Sequence, residues 1–158
     1  MITHLDKTAS RAQRQHRLMK LSIGKYQIGH SGCTDREIGK LESKFGVRLP
    51  GPYRKFLSRF GRDKNASPAL SGSDYFVPVL FKLRGWAEEL LQESGSHFQF
   101  HPQDFVVLMH QGYQFLYFRA DGANHDPPVF YYLENQKQPE QKFGSVSDWL
   151  KAFEVYVA

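Results

Sequence analysis

The stretch that decides the fold is IGKLESKFGVRLPGPYRKFLSRFG, residues 38–61. It follows TDRE (34–37), where Thr34 and Glu37 have the spacing of a capping box. Ile38, Leu41 and Phe45 recur at helical spacing, and Gly46 is placed as a C-terminal cap, which predicts a short amphipathic helix over about 35–45. Pro50 and Pro52 interrupt the chain, and Pro52 fits the first turn of a second helix. Tyr53, Phe56, Leu57 and Phe60 make its apolar stripe, and Gly61 stops it. The expectation is that Leu41, Phe45, Leu49, Phe56 and Phe60 are buried, with Pro50 separating the two helices.

Outward from this block, residues 62–73 (RDKNASPALSGS) read as a polar loop. YFVPVL (75–80) reads as a short strand-like piece limited by Pro78. KLRGWAEELLQE predicts a third helix over about 81–93, with Leu83, Trp86 or Ala87, Leu90 and Leu91 on one face. SGSHFQFHPQD reads as connecting chain. Three β-rich runs follow: FVVLMHQ (105–111), YQFLYFRA (113–120) and PVFYYLE (128–134). Gly112 falls between the first two, and ADGANHDP lies between the second and third, which are hairpin signals at hairpin spacing. Ser145 caps a last helix in SVSDWLKAFEVY, where Val146, Trp149, Leu150 and Phe153 recur. The expected fold is a single α+β domain over 26–158, with a central, mostly antiparallel sheet (a meander) flanked by helices.

The 158 residues suit one domain, and 41% hydrophobic with 23% charged residues is globular composition. No run approaches the roughly 18 apolar residues of a membrane span. Charge stands where a secretory signal has its apolar stretch, so a cytoplasmic location is expected. The single cysteine, Cys33, excludes an internal disulfide and multi-cysteine metal sites. The net charge of +5 sits in residues 1–25, which hold Lys7, Arg11, Arg14, Arg17, Lys20 and Lys25 against Asp6. The rest of the chain sums to zero. A basic N-terminal arm over 1–25, solvated, partly disordered or helical and dispensable for folding, is the plain reading, and contact with nucleic acid or an acidic partner is the sharper one. A neutral body argues against nucleic acid as the partner.

No catalytic constellation stands out, and no enzyme activity is expected. Cys33 has His30 and Asp35 nearby on one short loop, but proximity in sequence does not supply converging geometry. No serine lies in G-x-S-x-G. His97 and His101, four apart in extended chain, are more than about 10 Å apart, too far to share a zinc. Phosphate-binding glycine motifs are absent. Neither a metal nor a cofactor is expected.

The β-rich runs are the distinctive part. Tyr113, Phe115, Tyr117 and Arg119 alternate with Gln114, Leu116 and Phe118. Both faces are apolar enough for a two-sided core. The alternative is that the face with Tyr hydroxyls and Arg119 is partly open to a partner, since Tyr and Arg carry interface hot spots. On that reading Tyr113, Tyr117 and Arg119 bind the partner, with His110 and Gln111 at the adjoining turn. Arg119 then contributes little to stability, and Leu116 and Phe118 meet the helices.

The block at 38–61 resembles the opening signature of the SUKH superfamily, which includes the yeast cell-wall-assembly regulators of Smi/Knr type. Glu42, Gly46, Leu49, Pro50, Tyr53, Phe56, Leu57 and Gly61 occupy its places. Ser145, Val146, Trp149 and Leu150 are similar to the closing helix of the family, with Val146 standing for the usual Phe. The resemblance covers about 34–155. It implies an α+β fold and a non-enzymatic binding protein. Bacterial members are mostly immunity proteins that neutralise toxins, and eukaryotic members resemble signalling scaffolds. The Gly-rich, Asp-bearing turn of many members is here MHQGYQF, with one Gly and no acid. The expected partner is therefore a protein, a toxin domain on the immunity reading or a cellular protein on the scaffold reading.

Overall fold

Among residues 32–155 the order is two α-helices, a short strand, a third α-helix, four strands and a last α-helix. The computed structural model describes residues 32–155 together with Gln13. Helix α1 (Asp35–Phe45) starts where the Thr34 hydroxyl accepts the Glu37 N–H and ends at Gly46, whose φ of 61° needs the freedom of glycine. The Glu37 carboxylate does not complete a reciprocal box; it receives Arg62 through Nε at 3.0 Å and Nη2 at 2.7 Å. Helix α2 (Gly51–Phe60) carries Pro in its first turn and buries Tyr53, Phe56 and Leu57. Glu42 ties the pieces together: Oε2 accepts the Leu49 N–H at 2.9 Å and Oε1 pairs with Arg54.

Helix α3 spans Leu80–Glu93 and buries Leu83, Trp86, Ala87, Leu90 and Leu91. Helix α4 (Val146–Ala152) is capped by Ser145, whose hydroxyl accepts the Asp148 N–H. The strands are β1 (Ser73–Asp74), β2 (Asp104–His110), β3 (Gln114–Arg119), β4 (Val129–Leu133) and β5 (Glu140–Phe143). They pair antiparallel in chain order, β1-β2-β3-β4-β5. This is the single α+β domain with a meander that the sequence predicts.

Helices cover the Phe118 end of the Leu116–Phe118 face, as expected there. Tyr53 of α2 lies 5.7 Å from the Phe105 ring and 5.3 Å from Phe118, and Phe45 of α1 lies 5.6 Å from Phe105. Helix α4 closes this side through Trp149, 6.4 Å from Phe56.

Three expectations are corrected. Residues 75–80 are not a strand: β1 lies just before them, Val77 donates to the Gly61 carbonyl, and Leu80 already opens α3. Pro78 has no N–H to give a ladder, and the buried Tyr75 hydroxyl is spent on the Asp63 carbonyl at 2.7 Å. The sheet of five strands includes β1 and β5, which the sequence reading did not place because they carry no apolar alternation. Of the five predicted core residues, Leu41, Leu49 and Phe56 are buried, while Phe45 and Phe60 pack half-buried at its margin. The basic arm over 1–25 lies outside the described residues, Gln13 excepted.

Candidate functional site

The structure divides the five expected contact residues between the two ends of β3. His110, Gln111 and Tyr113 come together at the β2–β3 turn. Gln111 has φ 54° and Gly112 φ 79°, so two left-handed residues make the reversal. The Tyr113 N–H donates to the His110 carbonyl at 3.2 Å, and the two rings meet edge to face at 5.8 Å. The Ser73 hydroxyl of β1 lies 2.9 Å from His110 Nδ1, and Gln111 Nε2 donates to the Gly72 carbonyl at 3.4 Å. His110 and Tyr113 are half-buried and Gln111 is exposed. The side chains are thus placed without being sealed.

Beside this turn a groove of about 330 Å³ opens on the sheet. Leu108, Leu116 and Phe143 give it an apolar floor, and Ser73, His110, Gln114, Tyr131 and Lys142 give it polar edges. Lys142 Nζ stands 5.6 Å from the centre of the Tyr131 ring. Burial, with Tyr113 nearby, pushes the Tyr131 phenol above its ordinary range. Tyr131 and Lys142, which also line this groove, are not among the residues expected from the sequence. Tyr131 was visible in the VFYYLE run, whereas Lys142 lies on the strand that sequence patterning does not reveal.

Tyr117 and Arg119 are elsewhere, and the open face expected around them is closed. Tyr117 is 6% exposed. Phe98 and Phe100 roof it at centroid distances of 5.9 and 5.2 Å, and Phe130 stacks beside it at 5.2 Å. Burial, reinforced by the Asp104 charge, drives its phenol far up. Arg119 Nε donates to Asp104 Oδ1 at 2.6 Å across the strand pair. Asp104 is 3% exposed, and its other oxygen accepts the His101 N–H at 2.8 Å. The Arg119 side chain is 44% exposed, yet its charge pairs with a buried carboxylate, which is a physical reason for a larger contribution to stability than the sequence reading expects. Its guanidinium is held still more firmly protonated by that hydrogen bond.

The remaining candidates do not build a site. Cys33 is buried beside Glu37, and burial with that carboxylate raises its thiol to about 12, the opposite of an activated nucleophile. Among the described residues no group of three or more His, Cys, Asp or Glu is arranged to hold a metal. Nor is any described helix long and apolar enough to cross a membrane.

The described residues thus form a helix-flanked antiparallel meander with a mixed-polarity groove beside one turn. The model of the SMI1 / KNR4 family (SUKH-1) matches residues 32–152, and the chain belongs to that family. The family includes immunity proteins and cell-wall regulators and is generally one of non-enzymatic binding modules. No curated protein and no solved structure matches the chain.

Proposed function

We propose that this chain is a non-enzymatic binding module of the immunity type, which sequesters a toxin domain in the cytoplasm. Membership of the family over residues 32–152 carries the reading. His110, Gln111 and Tyr113 supply the contact, with the groove beside them. Tyr113 and Tyr131 offer rings with hydroxyls at their tips, which suits an anchor inside a polar rim. The neutral body and basic arm weigh against inhibition of a basic nuclease site, which favours an acidic inhibitor. The second reading is a scaffold of the cell-wall-regulator type that uses the same surface on a cellular partner; the family includes that class too.

The test is co-expression with a toxin encoded beside this chain. Growth should be restored by the full chain and lost with Tyr113→Ala at unchanged melting temperature. A partner captured by pull-down and mass spectrometry that is no toxin, and whose binding Tyr113→Ala weakens, supports the second reading. Capture unaffected by Tyr113→Ala removes the site from both.

A further inference from the structure

Residues 96–101 lie over the Tyr117 face of the sheet without joining it. Their exposure alternates: His97 and Gln99 are exposed, whereas Ser96, Phe98 and Phe100 are half-buried. That is the period of a strand. Phe98 and Phe100 stand on the inner side, 5.9 and 5.2 Å from the Tyr117 ring, and meet each other edge to face at 5.5 Å. The segment is held at both ends. The Ser96 N–H donates to the Leu91 carbonyl, and the Ser96 hydroxyl donates to the Lys137 carbonyl at 2.6 Å. At the other end the His101 N–H donates to Asp104, and Arg84 donates to the His101 carbonyl while lying 4.7 Å from the centre of the Phe100 ring.

Between these anchors much of the main chain is unused. The Phe98 N–H donates to the Ser96 hydroxyl at 3.2 Å. Among the described residues, neither the N–H nor the carbonyl of His97 or of Gln99 has a hydrogen-bond partner. In strand geometry the N–H and carbonyl of one residue point to the same edge, and the residue two further on shares it. His97 and Gln99 therefore present a single edge of unpaired donors and acceptors. Arg84, Glu88, Leu91 and Gln92 of α3 line a groove of about 470 Å³ beside the segment. The charges in that lining are spent on each other, since Arg84 Nε donates to Glu88 Oε1 at 2.9 Å.

We propose that the edge of His97 and Gln99 docks an extended, uncharged segment of another protein, which lies alongside and exchanges main-chain hydrogen bonds with these two residues. An added segment of this kind takes its affinity from the main chain and its specificity from pockets for alternate side chains, and the groove against α3 is such a pocket. Because the Arg84–Glu88 pair leaves the described lining without net charge, uncharged side chains suit it better than acidic or basic ones. This surface is a second one, distinct from the β2–β3 turn, and it stands whichever partner the turn serves.

Hydrogen exchange on the full chain tests the edge first. The His97 and Gln99 amides should exchange within about 10-fold of the unstructured rate, while those of β3 are at least about 100-fold slower. Protection of both in the free chain overturns the edge, and protection that grows with protein concentration overturns the occupant in favour of a second copy. The probe for the occupant is a phage-displayed library of random peptides of about seven residues, selected on the full chain. A recovered peptide should slow both amides at least about 10-fold. It should bind Gln99→Pro and His97→Pro at least about 10-fold more weakly at unchanged melting temperature, because each variant removes a donor that the fold does not use. Gln99→Ala keeps that donor and should stay within about 2-fold, and affinity should move less than about 3-fold between about 0.05 and 0.5 M salt. Peptides that bind the proline variants as tightly as the parent, or that fade with salt, overturn the main-chain mode, as does recovery of none. Binding lost in Tyr113→Ala but kept in the proline variants belongs to the turn and overturns the edge.

Discussion

The two ends of β3 hold similar residues in different physical states. At the turn end, Tyr113 touches His110 on one side and is only half-buried. At the far end, Tyr117 is roofed by Phe98 and Phe100, and Arg119 is committed to Asp104. A tyrosine or arginine in a strand is therefore not a contact residue by type. What decides is whether neighbouring chain has already used its surface. The far end spends its aromatic and charged groups on folding, and the turn end leaves His110 and Tyr113 half-buried and Gln111 exposed.

The comparison is broken or sharpened by variants at each end, beginning with the largest effect. Phe118→Ala, at the sealed end and against Tyr53, should destabilise by about 3–5 kcal/mol in urea unfolding. A loss under about 1 kcal/mol would mean that this end is not the core. Arg119→Ala should destabilise by about 1–3 kcal/mol, because it leaves the buried Asp104 carboxylate without its cation, although half-exposure of the arginine screens part of the effect. Partner affinity of the folded protein should hardly change; a drop above about 1 kcal/mol by calorimetry would restore Arg119 to the contact surface.

At the open end the pattern should invert. Tyr113→Ala should weaken partner binding by more than about 1 kcal/mol while changing stability by less than that. Equal losses in both would erase the distinction between the ends. The smallest effect comes from the sealed helical side. The Cys33 thiol is raised from 9.0 to about 12 in the fold, so the unfolded chain loses its proton first as pH rises. Stability from this group is complete below about pH 8 and should fall by roughly 1 kcal/mol near pH 9.5. Cys33→Ser, whose hydroxyl does not titrate there, should flatten that part of the profile; an unchanged slope would show that Cys33 is not sealed.

Local chemistry was legible where it is local. The Thr34 cap, the Gly46 stop, the α2 stripe and the Gly112 hairpin follow from neighbours within one turn of chain. Glu37 was misread because its carboxylate goes to Arg62, a partner no short window contains. Strand alternation correctly separated Tyr117 from Phe118, but not what covers each face. The cover over Tyr117 is Phe98 and Phe100, spaced two apart as FQF in chain that reads as a connection, so their alternation was the available signal. Strand β5 was invisible because an edge strand with water on its outer side needs no apolar period. Two of the five expected site residues changed role for the same reason: burial is set by segments far off in sequence.

Strand β5 also bears on whether a second strand could add to the sheet. It ends the sheet, and an end strand presents unpaired backbone groups to which another strand could add. Its sequence is Glu-Gln-Lys-Phe, and Glu140, Gln141 and Lys142 are all exposed. A second copy adding here antiparallel would have to desolvate these charged and amide groups for little apolar gain. The other end, β1, is two residues long and too short to template much. What the outermost strands lack, length in β1 and an apolar face in β5, is thus what disfavours strand addition beside the aromatic inner strands.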